Sequence, residues 1–122
     1  MSVQYAVDSH KGIVWTTFSG VVSHRDPTEN ALKLRTDPAF DPGFAELIEF
    51  RDDSEIHLNY SDFTALAGLY PFSRSSKHAI VVGSRPVIYG IARMFELALR
   101  DYCVGIFATV DEALSWLTRH GS

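Results

Sequence analysis

The chain is poor in the features that most quickly disclose what a protein does. It holds one cysteine, Cys103, so an internal disulfide is excluded. No apolar run approaches the roughly 18 uncharged residues of a membrane span, and Asp8, His10 and Lys11 interrupt the N-terminal segment where a secretory leader needs an unbroken apolar stretch. The expectation is a cytoplasmic protein with no integral membrane segment, in which the acceptor pattern Asn59-Tyr60-Ser61 carries no glycan. Basic residues are neither abundant nor clustered: 11 Lys and Arg stand against 15 Asp and Glu, a net charge of -4. Nucleic acid has no electrostatic footprint here.

Chemical motifs are scarce as well. The five histidines, His10, His24, His57, His78 and His120, include no pair at the spacing of a helical zinc site. No metal or cofactor is expected. His24-Arg25-Asp26 spells a kinase tripeptide without the downstream asparagine that the chemistry needs. Asp52, Asp53 and Glu55 could hold Mg²⁺ as in phosphoryl-receiver domains, but an acidic pair after the first strand and a lysine after the fifth are missing. Gly83-Ser84-Arg85-Pro86 lacks the Gly-x-x-x-x-Gly-Lys of a phosphate loop. A glycine, a hydroxyl, an arginine and a helix start remain, a weak anion site at most, and capping alone accounts for Ser84 and Pro86.

What is present is fold. A length of 122 residues at 46% hydrophobic fits one domain, 1–122, with a real core. Val3 to Asp8 and Ile13 to Ser19, separated by Ser9-His10-Lys11-Gly12, read as a β-hairpin. Asp26-Pro27-Thr28-Glu29 places a capping carboxylate, a first-turn proline and a glutamate at the start of a thinly apolar surface helix running to about Thr36. A Pro- and Gly-containing loop leads to a third strand, Phe44 to Phe50. Ser61 then caps a helix with Phe63, Leu66, Ala67 and Tyr70 on one face, stopped by Pro71. His78 to Gly83 is a strand, Pro86 to Tyr102 a long helix, and Val104 to Ala108 a strand that Cys103 enters as a small buried residue. The box Thr109-Val110-Asp111-Glu112 starts a last helix with Val110, Ala113, Leu114 and Leu117 as its apolar stripe. The order β-β-α-β-α-β-α-β-α predicts an α/β fold, a mixed five-stranded sheet with four helices and an antiparallel N-terminal edge.

This order, with the strings GIVWTTFSG, DPAFDPGFAELIEFRD, GIARMFE and FATVDEALSWL, resembles the STAS family of sulfate transporter and anti-sigma factor antagonist domains, and within it the SpoIIAA-like small bacterial proteins. The resemblance spans most of the chain. It implies a compact domain that binds a protein or a small ligand and catalyses nothing. In anti-sigma factor antagonists the regulatory serine lies in an Asp-Ser-Ser-Gly turn opening the helix after the third strand. Ser61 takes the place of the first serine, while Asp62 and Phe63 stand where the second serine and the glycine would be. A plain N-cap also explains Ser61, and Asp62 complements the helix dipole with or without a partner. A more distant likeness to CRAL-TRIO lipid-binding domains implies the alternative, a carrier or sensor of a small apolar ligand.

The third strand also delivers Glu49, Arg51, Asp52 and Asp53 to the carboxyl edge of the sheet, where open α/β sheets bind ligands and where Ser84 and Arg85 should emerge. On the long helix Tyr89, Arg93, Glu96 and Arg100 form a polar stripe. Ile88, Ile91, Ala92, Phe95, Ala98, Leu99 and Tyr102 form the sheet-facing side. Val87, Gly90, Met94 and Leu97 extend the apolar arc beyond what a surface helix needs. A neighbouring helix, a ligand or a second copy in a homodimer would cover them, and Gly90 would admit a close approach. The expected function is a non-enzymatic regulatory or scaffold domain acting by protein binding around Ser61 and the long helix. In the ligand-carrying alternative, Arg85 or Arg93 meets a polar end.

Overall fold

The computed structural model describes residues 2–119, and His120 lies outside the described residues. In chain order the elements are β1 (Val3–Asp8), β2 (Ile13–Phe18), β3 (Val21–Val22), α1 (Arg25–Arg35), β4 (Ala45–Phe50), β5 (Glu55–Ile56), α2 (Tyr60–Leu69), β6 (Lys77–Val81), α3 (Pro86–Ala98), β7 (Cys103–Phe107) and α4 (Val110–Leu117). The main sheet runs β1-β2-β4-β6-β7. β1 and β2 pair antiparallel as a hairpin, Val3 opposite Phe18 and Asp8 opposite Ile13, with Gly12 closing the turn at a φ of +68° that glycine adopts without a Cβ clash. Every other neighbour in this sheet is parallel, because a helix carries the chain back to the same end before it re-enters. The predicted mixed sheet, its antiparallel N-terminal edge and its four helices are all present.

Alternation along the strands assigns the two faces. Phe18, Ile48, Phe50, Ile80 and Val82 point to a core built with Ala31 of α1, Phe63 and Leu66 of α2, and Ile88, Ile91, Ala92 and Phe95 of α3. Ile13, Leu47, Ala79 and Val81 point to the other face, where α4 alone covers them through Ala113, Leu114, Trp116 and Leu117. One face thus carries three helices and the other carries one. The aromatic pair Phe63 and Phe95, with centroids 4.9 Å apart, locks α2 against α3.

Several expected boundaries move for local reasons. α2 is capped by Asn59, whose side chain accepts the Asp62 N–H at 3.0 Å while the Asp62 carboxylate accepts the Asn59 N–H at 2.8 Å. Ser61 is therefore the second helical residue and not the N-cap. Asp26 acts from inside the first turn of α1, accepting from the Ser23 N–H at 2.8 Å, and the N-cap itself is His24. α3 ends at Ala98, short of Tyr102, because the turn Tyr102 N–H to Leu99 C=O at 2.8 Å must swing the chain into β7. Its N-cap is Arg85, so Ser84 lies outside the cap position. Cys103 is exposed, contrary to the expected burial, since it is the first residue of an edge strand. The two-residue pair of β3 with β5 was not predicted, being too short to show alternation. The box Thr109 to Glu112 that opens α4 forms as the sequence indicates.

Candidate functional site

The carboxyl ends of the strands form an open cleft of about 750 Å³ lined by Thr17, Glu49, Asp52, Asp53, Gly83 and Thr109 among others. The acidic residues expected at this edge do reach it. Glu49 is held by the Trp15 indole N–H at 3.2 Å. The arginine expected to meet an anion there does something else. The Arg85 guanidinium donates to the carbonyls of Asp52 and Ser54, each at 3.0 Å, and so clasps the turn between β4 and β5. Gly83, at a φ of +64°, makes the bend from β6 toward α3, and Ser84 is exposed in that bend.

Arg93 sits on the outward side of α3, within 3.2 Å of Glu96 and donating to the Tyr89 hydroxyl at 3.4 Å. The Tyr89 hydroxyl and then Glu96 hold its guanidinium above the ordinary arginine value. Each of the two arginines offered for a ligand's polar end thus has partners within the chain, Arg85 the carbonyls of Asp52 and Ser54 and Arg93 its neighbours Tyr89 and Glu96. Ser61 is exposed on the first turn of α2, and Asp62 is committed to the capping box.

The surplus apolar arc of α3 is uncovered at Val87, Gly90 and Leu97. Val87 is 69% and Leu97 56% exposed, and a Cβ placed on Gly90 would meet nothing within 4 Å. Met94 is half-buried against the core. Neighbouring elements of the same chain thus cover the seam in part at Met94 and leave it open at Val87, Gly90 and Leu97.

A second constellation escaped the sequence reading. Glu46 and His78, 3% and 0% exposed, face each other across β4 and β6 with His78 Nδ1 at 2.9 Å from Glu46 Oε1. The Tyr70 hydroxyl donates to that same oxygen, and Thr16 Oγ1 donates to Oε2 at 2.7 Å. Burial, reinforced by the Glu46 charge, pushes the Tyr70 phenol well above its ordinary value. The rings of Tyr70, Phe72 and Tyr102 surround the imidazole at 5.2, 4.8 and 5.4 Å, and His78 Nε2 is buried with no hydrogen-bond partner. The signal was in the sequence: Glu46 shares the strand parity of Ile48 and Phe50, and His78 that of Ile80 and Val82, so both had to point into the core.

Chemically the cluster can hold a proton, but its polar atoms lie within packed aromatic walls. The cavity beside it, lined by Thr16, Glu46, Tyr70 and Phe72 with residues of α1, measures about 20 Å³, which suits a single water. Small-molecule pockets run to several hundred Å³. On the adjoining strand, opposite Thr16, Tyr5 donates to Asp37 at 2.7 Å, tying β1 to the loop after α1. Burial and then Asp37 raise the Tyr5 phenol to about 12. Among the described residues no group of three or more His, Cys, Asp or Glu could hold a metal ion, and no helix is long and apolar enough to cross a membrane. Comparison of the chain with known protein families, curated proteins and solved structures finds no match.

Proposed function

We propose that this chain is a SpoIIAA-like STAS domain that works without catalysis, as a regulatory or scaffold protein binding another protein through the outer face of α3 and the surface around Ser61. The observation that carries the reading is the apolar seam of α3, with Val87 and Leu97 more than half exposed. Solvating such a strip is unfavourable by roughly 25 cal/mol per Å², and a protein partner removes it from water. The β-β-α-β-α-β-α-β-α order on which the family resemblance rests is retained once the two-residue β3–β5 pair is set aside. Ser61 supports the same reading: Asn59 and Asp62 cap α2 between them, so the exposed Ser61 hydroxyl is not spent on starting the helix. A phosphate there would sit in the first turn, where the helix dipole favours negative charge.

The carrier reading has less support, because the interior cavity of about 20 Å³ admits no apolar chain and Arg85 is occupied by backbone carbonyls. Native mass spectrometry of the purified protein separates the two. The bare chain mass, alone or in multiples, is expected, and a small molecule that survives purification would replace this reading with the carrier. Incubation with cell extract and ATP should place phosphate on Ser61 if that residue is the switch. Phosphate confined to Ser73, Ser75 or Ser76, or absent altogether, removes the switch and leaves the binding face.

A further inference from the structure

We infer that β7 is an edge through which two copies of this chain join, antiparallel about a two-fold axis at Gly105, so that their five-stranded sheets run on as one. This surface is separate from the α3 seam and from Ser61. β7 ends the main sheet, with no strand beyond it among the described residues. Phe107 turns its carbonyl inward to the Val82 N–H at 3.0 Å, and peptide groups alternate in direction along an extended chain. Cys103, Gly105 and Phe107 therefore bond to β6, while Val104 and Ile106 present their N–H and C=O groups to the open edge.

The two edges of the sheet are unlike. β1 carries Gln4 and Asp8 and is bound through Tyr5 to Asp37 of the loop after α1. β7 reads Cys-Val-Gly-Ile-Phe, and its register with β6 is unbroken from Lys77–Cys103 to Val81–Phe107. It has none of the charges, prolines or bulges that keep an edge from pairing.

Backbone donors and acceptors in series fix the occupant as a strand, and the residues within and beside β7 fix it as β7 reversed. With the axis at Gly105, Val104 lies opposite Ile106 of the second copy as a hydrogen-bonded pair, and symmetry repeats that pair. All four outward N–H and C=O groups of each copy are then used. Val104 and Ile106 share the face of α2 and α3, so these two β-branched pairs extend the larger core across the joint. On the α4 face Cys103 meets Phe107. Gly105 sits on the axis, where a non-hydrogen-bonded pair brings Cα atoms to about 4.5 Å and no side chain intrudes. Charge agrees with the direction. Arg100 precedes β7 and Asp111 follows it; both are exposed, and neither has an ion-pair or hydrogen-bond partner among the described residues. An antiparallel copy brings the amino end of one β7, and Arg100 with it, to the carboxyl end and Asp111 of the other. A parallel strand of the same sequence would set like charges side by side.

Sedimentation velocity of the full chain over a wide concentration range tests this, with a thiol reductant present so that Cys103 cannot crosslink chains and circular dichroism confirming each variant's fold. Wild type should show a reversible monomer–dimer equilibrium. Val104→Pro removes an outward N–H without touching the bonds to β6, a position at which edge strands accept proline, and should weaken the dimer by about tenfold or more. Arg100→Asp and Asp111→Arg should each weaken it by about threefold or more. The double variant restores opposite charges and should return to within about threefold of wild type. A wild type that stays monomeric at its highest soluble concentration overturns the inference. So does a dimer indifferent to a folded Val104→Pro, which moves the contact to another surface. If Val104→Pro does not fold, the charge series decides: a dimer that neither single reversal weakens, or that the double variant fails to restore, overturns the antiparallel pairing.

Discussion

The Glu46–His78–Tyr70 cluster and the α3 seam are opposite departures from the ordinary distribution of side chains, one placing ionisable groups inside and the other apolar groups outside. The inner cluster is nearly complete within the chain: both oxygens of Glu46 accept from donors on three other segments. The outer seam is incomplete, since nothing in the protomer touches the space beside Gly90. A buried polar group that has partners reports on how the fold is held, whereas an exposed apolar strip without them points away from the protomer. The two regions should therefore respond differently to substitution.

The largest effect is expected inside. Glu46→Leu leaves the Tyr70 and Thr16 hydroxyls and His78 buried without their acceptor, and should cost about 3–5 kcal/mol, read from urea unfolding. Glu46→Gln keeps an acceptor for Tyr70 and should cost less. A Glu46→Leu chain as stable as wild type would show that the aromatic packing, and not the carboxylate, holds this corner.

Alkali probes the same region. A phenol whose folded value lies above its unfolded one keeps its proton in the folded state while the unfolded chain begins to lose it near pH 10. The unfolded state then binds fewer protons, and stability falls as pH rises. Tyr70, held well above the ordinary value by burial and Glu46, should contribute a limiting slope of about one proton. Tyr5 adds to the slope from about pH 10 to its folded value of about 12. Tyr70→Phe should flatten the profile above pH 10 and leave the neutral range with only the cost of the lost hydrogen bond. An unchanged alkaline slope in Tyr70→Phe would assign the titration to other tyrosines.

Surface substitutions should act more weakly. Asn59→Ala removes the cap of α2 and should cost about 1 kcal/mol, while Ser61→Ala, one turn-position inside, should stay within about 0.5 kcal/mol. The reverse order in thermal or urea unfolding would return the cap to Ser61. At the seam the sign changes: Gly90→Ala should stabilise the protomer by up to about 1 kcal/mol, because the methyl enters open space. A loss of stability, measured at a concentration where the chain is monomeric, would mean that the seam is packed after all.

The sequence alone determined the features that are local or periodic. The hairpin around Gly12, the box from Thr109 to Glu112, the strand and helix order, and the apolar surplus of α3 follow from turn chemistry, capping chemistry and the periods of 2 and 3.6, all of which act within a few residues. The tertiary structure decided what depends on distant partners. Arg85 at the start of α3 was free in sequence to meet an anion, but the β4–β5 turn brings the carbonyls of Asp52 and Ser54 to it. Ser61 and Asn59 were both eligible to cap α2, and the reciprocal bonds with Asp62 selected Asn59. Glu46 and His78 lie 32 residues apart in sequence and meet because β4 and β6 are parallel neighbours in the register that sets them opposite each other. Register is fixed by the burial of whole strand faces, and that sum over the sheet cannot be taken from either strand by itself.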